Sequence, residues 1–139
     1  MTRFIPATAP IGATLLRVSL GSLFLAHLGL KVFVFTPAGT VGFFESIGLP
    51  GPLAYITMAA EFAGGVALIL GIYARLVALA LIPLLLGTIF TVHGANGFFF
   101  NNAGGGWEYP AFWSITLAVQ ALIGDGAFAL LPTLPGRVG

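Results

Sequence analysis

Charge is what this chain has least of. Five basic and four acidic side chains stand among 139 residues, so charged groups make up 6% of the chain against 58% hydrophobic residues, and mean hydropathy is +1.06. A soluble domain carries about 25% charged residues, and a short chain has too much surface for its volume to do without a polar exterior in water. Lipid is therefore the expected solvent for most of the surface. Cysteine is missing altogether. That excludes disulfides, thiol redox chemistry and iron–sulfur ligation by this chain. A net charge of +1 offers no clustered Lys/Arg footprint, so nucleic acid is not an expected partner. The sequence also lacks a P-loop, a dinucleotide fingerprint and a nucleophile set beside a base. No Glu-x-x-His pair is present to build a di-iron centre in a bundle. The two histidines, His27 and His93, fall at depths that differ by roughly 10 Å, which argues against a shared haem. Neither metal nor haem is expected.

What the chain does have is long apolar segments. A membrane-spanning helix needs about 20 mostly apolar residues, and residues 11–35, 52–72, 74–93 and 108–131 qualify. The expected fold is thus all-α, a four-transmembrane-helix bundle forming a single domain over residues 1–139. The stretch after Arg3 is too long for a signal-peptide core and is read as a retained first helix. Residues 71–74 are short enough to be only a tight turn. Pro110 suits the first turn of the last helix, and Pro83 is expected to kink the third. Arg3, Arg75 and Arg137 fall on one side of such a bundle, which places both termini in the cytoplasm by the positive-inside rule. Ala59, Ala63, Ala67 and Gly71 form a small-residue stripe expected to receive a neighbouring helix closely.

Ionisable side chains inside a bilayer are costly and mark candidate sites. Arg17, His27 and Lys31 fall within an arc of about 80° on the first helix, so one face carries all three and must point inward. Arg17 and Asp125 each lie about 9 Å from the cytoplasmic helix ends, and a structural ion pair between them is expected. Glu61 lies near the depth of His27, so these two are expected to pair around a titratable proton. Lys31 is expected to meet Glu45, and His93 to meet Glu108. Together these groups would line a polar cavity open to the outer side. Phe98, Phe99, Phe100, Trp107 and Tyr109 surround Asn96, Asn101 and Asn102 in the last connection. An aromatic belt at the interface accounts for most of that pattern; a lid over an aromatic head group is the sharper alternative.

Taken in order, several of these residues resemble the DoxX family. Leu16-Arg17, Gly21 and the run His27-Leu28-Gly29-Leu30-Lys31 are similar to its first helix. Gly48-Leu49-Pro50 follows, then Glu61, Gly64-Gly65, Gly71 and Arg75 at the family's spacing. His93, Asn96-Gly97-Phe98-Phe99, Glu108-Tyr109-Pro110 and Gly124-Asp125-Gly126 complete the series. The resemblance runs from about residue 15 to 130 and implies a multi-pass protein of the bacterial inner membrane. It further implies a link to quinone-dependent oxidation of sulfur compounds, or to membrane redox complexes that protect against oxidants. Two departures matter. The chain lacks the cysteines of some relatives, and Asp125 stands between two glycines rather than in a Ser-Leu-Asp ending. Any redox role therefore needs a bound quinone or a partner's cofactor.

The leading expectation is a membrane subunit of a quinone-linked oxidoreductase or redox complex. His27, Glu61 and His93 would be its proton-exchanging catalytic groups, with Lys31, Asn96, Phe99, Trp107 and Glu108 around the bound quinone. The alternative is a non-catalytic anchor or assembly factor for a partner complex. A small transporter ranks third, because a chain of this size shows no inverted repeat. Besides the bilayer, a protein partner or a homo-oligomer is expected.

Overall fold

The structure is a computed structural model and describes residues 8–134. Arg3 and Arg137, on which the expected orientation leans, lie outside the described residues. Among the described residues five α-helices follow one another: α1 (Ala9–Gly29), α2 (Pro37–Ser46), α3 (Pro52–Leu70), α4 (Ala74–Thr88) and α5 (Glu108–Ile123). No β-strand occurs among the described residues; one isolated β-type bridge joins Ile72 to Leu131. Among the described residues, three helical stretches are long and apolar enough to cross a membrane: Ala9–Val34, Pro52–Leu70 and Ala74–Asn96. Their outward faces are apolar, with Phe33 and Phe90 more than four-fifths exposed. Water would not tolerate that pattern over whole helices.

The fourth expected span is shorter than the sequence implied. α5 is 16 residues long and ends at Ile123, where Gly124 takes φ 106. A positive φ of that kind is open to glycine and ends the helix there. The connection after α1 also departs from expectation, since it folds into α2. Thr36 caps that helix, its Oγ1 accepting from the Gly39 N–H at 3.1 Å, and Pro37 follows at the first helical position.

α1 packs chiefly on α3, and α4 on α5. The α1–α3 crossing is close because two glycines meet. A Cβ on Gly21 would stand 2.5 Å from the Gly65 carbonyl oxygen and 2.8 Å from Ile69 Cγ1. On its other side, Gly64 abuts Leu81 of α4. The small-residue stripe chosen from sequence packs within the bundle only at its far end: Ala59 and Ala63 are exposed and Ala67 is half-buried, while Gly71 is buried against Ala129 and Arg17; the main packing face carries Gly64, Gly65 and Leu68. α4 runs through Pro83 without a break in its helix.

One end of the bundle is tied by arginines and the segment after α5. Arg17 is 1% exposed. Its Nε donates to the Asp125 carbonyl at 2.8 Å, Nη1 to the carbonyls of Leu68 and Ile69 at 3.1 and 2.6 Å, and Nη2 to that of Ala127 at 2.9 Å. Leu68 and Ile69 belong to the last turn of α3, whose carbonyls have no partner within the helix and sit at the negative end of its dipole. The expected Arg17–Asp125 carboxylate pair is corrected accordingly. Asp125 meets Arg17 through its main chain, while its carboxylate accepts from the Thr133 N–H at 2.9 Å and the Thr133 hydroxyl at 2.6 Å. The reason is local: Gly124 turns the chain out of the helix before Asp125. Arg75 repeats the device on α5, its Nη1 donating to the Ala121 carbonyl at 3.3 Å.

Candidate functional site

The other end of the bundle is open inside. A cavity of about 590 Å³ lies between the second halves of α1 and α4 and the first halves of α3 and α5, roofed by α2. That volume falls within the range of small-molecule sites, which are mostly apolar with a few placed polar groups. Phe24, Phe43, Phe44, Ile47, Leu84 and Leu85 supply apolar wall.

Local helix geometry brings the polar groups together. Phe24, His27 and Lys31 follow at i, i+3 and i+7 and so share a face of α1. Lys31 lies in a widened π-helical continuation of α1, Leu30–Val34, and His93 in a matching continuation of α4, Ile89–His93. Such turns concentrate at functional sites because they re-aim side chains relative to the regular helix. The Lys31 carbonyl accepts from Thr40 Oγ1 at 3.1 Å, which fastens α2 over the cavity. Tyr109 and Trp113, four residues apart on α5, face the cavity from the opposite side.

Lys31 Nζ lies 2.8 Å from Glu61 Oε1, with side-chain exposures of 21% and 2%. This is the ion pair formed among the described residues, and it replaces two expected pairings. Glu61 does not pair with His27, because the longer lysine arm reaches back along its own helix and brings a full charge to the carboxylate. Nor does Lys31 meet Glu45, which is exposed on α2 with its carboxylate beside Gly51. Glu61 Oε2 and Trp113 Nε1 are buried without a hydrogen-bond partner. Unpaired buried polar atoms are uncommon and costly, and both residues line the cavity.

His27 instead sits in an aromatic slot. Its ring lies 4.8 Å from Trp113 and, nearly parallel at 22°, 6.3 Å from Tyr109; Phe24 meets Trp113 at 4.6 Å with the rings tilted by 45°. His93 is held between two oxygens, with Nε2 2.7 Å from the Tyr109 hydroxyl and Nδ1 2.9 Å from the Gly105 carbonyl. The expected His93–Glu108 contact gives way to these. Asn96 Nδ2 also donates to the Gly105 carbonyl, at 3.0 Å.

Of the residues singled out from sequence, His27, Lys31, Glu61 and His93 therefore line one cavity. Asn96, Phe99, Trp107 and Glu108 do not. Asn96 organises the loop behind His93. Phe99 is 61% exposed, Trp107 rests edge-on against Phe98 at 4.8 Å, and Glu108 opens α5. Sequence reasoning took Tyr109 only as part of an aromatic belt or lid, and missed Trp113, Thr40 and the roof formed by α2. The four-residue spacing of Tyr109 and Trp113 was a usable signal for those two. Among the described residues no group of three His, Asp or Glu side chains is placed to hold a metal ion.

Fold and site together define a class: a small all-helical membrane protein enclosing a largely apolar cavity with a buried lysine–glutamate pair in its wall. The chain belongs to the DoxX family, whose model matches residues 12–94. It is also 38% identical over 122 residues to the protein named "Putative oxidoreductase CatD" of Bacillus subtilis (strain 168), an alignment covering 88% of this chain and 86% of that one. No solved structure matches it.

Proposed function

We propose that this chain is the membrane subunit of a quinone-linked oxidoreductase or redox complex of the bacterial inner membrane, with the cavity as its head-group site. The observation that carries this reading is Glu61, 2% exposed, held by Lys31 through one oxygen while the other stands unpartnered in the wall of an aromatic-lined cavity. A carboxylate and an ammonium left in such a place serve poorly as packing and well as ligand contacts.

The residues fit a quinone-type head group by donor and acceptor count. The ring's carbonyl oxygens need donors, which Lys31, His27 and Trp113 Nε1 can supply; its hydroxyls, when reduced, need acceptors, which Glu61 and Tyr109 can supply. His27, Tyr109, Trp113 and Phe24 give the ring aromatic faces. Bound there, a quinone would supply two-electron chemistry coupled to proton exchange. The protein's part is to hold the ring, keep bulk water out and exchange protons at Glu61, His27 and His93. The name of the Bacillus relative, "Putative oxidoreductase CatD", supports the same class of chemistry.

In this reading α5 is the fourth crossing. Its 16 residues reach about 24 Å, and the segment folded under its end makes up the remaining depth. Arg17 and Arg75 mark the cytoplasmic end, and the cavity opens toward the outer side. The test is an inventory of quinones carried by the protein purified in mild detergent. Wild-type protein is expected to retain quinone, and Glu61→Ala and His27→Ala to lose it; full occupancy in both variants would refute the assignment. An anchor role alone predicts no quinone in any of the three.

A further inference from the structure

We propose that the cavity selects the reduced, hydroxyl-bearing form of its ring ligand over the oxidised, carbonyl form, and that the Gly105–His93–Tyr109 chain sets this preference. The inference rests on the head-group reading above and adds the redox form of the ligand, with Tyr109 as a specificity-determining residue.

Direction follows from the hydrogen bonds. The Gly105 carbonyl only accepts, so the His93 Nδ1 at 2.9 Å carries a proton. In the neutral imidazole Nε2 then has a lone pair and no hydrogen, and the Tyr109 hydroxyl at 2.7 Å donates to it. The one phenolic hydrogen is thereby spent on His93. What Tyr109 offers the cavity is oxygen lone pairs, so it acts as an acceptor. Asn96, donating to the same Gly105 carbonyl, holds that oxygen against His93 and keeps the chain in this sense.

Glu61 points the same way. Its Oε1 accepts from the Lys31 ammonium at 2.8 Å, and a carboxylate in an ion pair accepts without donating. Its Oε2 is buried and unpartnered. Two residues of the cavity wall thus offer acceptors that a hydroxyl satisfies and a carbonyl repels. Lys31 and Trp113 Nε1 can donate to an oxygen of either form, so they do not discriminate. A buried acceptor left without a donor is penalised more than a made bond is rewarded, so the carbonyl form bears the cost.

The test is equilibrium binding to the full chain in nanodiscs under anaerobic conditions, by calorimetry. Three probes are compared: decylubiquinol, decylubiquinone and the dimethyl ether of the quinol, which keeps the shape without the hydroxyl hydrogens. The quinol is expected to bind at least about tenfold tighter than the other two, the effect of one such hydrogen bond. In Tyr109→Phe that preference should shrink. His93→Phe is the sharper variant: it leaves Tyr109 in place but frees its hydroxyl to donate into the cavity, so the quinone should gain on the quinol. Equal or tighter binding of the quinone by wild-type protein overturns this inference and leaves the head-group reading standing. An unchanged preference in both variants removes Tyr109 from it. Failure of all three probes to bind overturns the head-group reading, and this inference with it.

Discussion

At the scale of single residues, the account turns on Lys31 and Glu61. Glu61 is 2% exposed and its charge is met by one partner. Removing the lysine alone strands a buried carboxylate, whereas removing both charges leaves an apolar contact. Lys31→Met should therefore destabilise the protein by about 3 kcal/mol, and adding Glu61→Leu should recover most of that loss. Thermal unfolding in detergent of the two single variants and the double variant measures it; additive losses would show that the pair is not coupled. That both residues matter was legible in the sequence, because ionisable groups are rare there and helical periodicity turns position 31 inward. Their pairing was not. Depth along a helix axis can be counted from sequence, but the rotation of one helix about another cannot, and Glu61 is within reach of His27 or Lys31 according to that angle. Tyr109 was not set at the site for a related reason: as an aromatic near a helix end it read as belt or lid, and its hydroxyl acquires a role only through His93.

At the scale of helices, close approach is set by Gly21 and Gly65, with Gly64 spacing α3 from α4. Gly21→Val would thrust a side chain into the Gly65 carbonyl and Ile69, and overpacking of this kind costs roughly 1–3 kcal/mol. Ala59→Val adds a comparable volume to an exposed position and should change the unfolding temperature little. Equal destabilisation by the two would show that the stripe at 59 and 63 packs after all. The four-residue spacing of that stripe drew attention from the adjacent glycines, although both patterns are small residues on one helix. The end of α5 was misjudged by the same logic: residues 124–131 are apolar enough to continue a span, but Gly124 at positive φ turns them back under the bundle. Asp125 then leaves the helix face on which its pairing with Arg17 depended. Arg17 itself was placed inward as expected, but it found main-chain carbonyls of the α3 end and of the segment after α5 where a carboxylate had been expected.

For the molecule as a whole, hydropathy alone made three spans legible, and the arginine-tied end opposite the cavity supplies a direction. Because the chain has no cysteine, single introduced cysteines report topology without background. Ser46→Cys on α2 and Asn101→Cys in the last connection, both exposed, should react with a membrane-impermeant maleimide on intact cells. Tyr73→Cys, exposed in the turn between α3 and α4, should react only after permeabilisation. Labelling in the reverse pattern would invert the orientation, and labelling of all three from outside would exclude it.

The central claim is that the cavity walled by Glu61, Lys31, His27 and Tyr109 receives a quinone-type ring, and photo-crosslinking tests it most directly. Membranes holding the protein are irradiated with an azido-quinone, and the modified positions are read by peptide mass spectrometry. The account places the label on residues 24–31 and 109–113, competed away by excess decylubiquinone and lost in Glu61→Ala. Label confined to lipid-facing positions such as Phe33, Phe90 and Phe112, without competition, would contradict it.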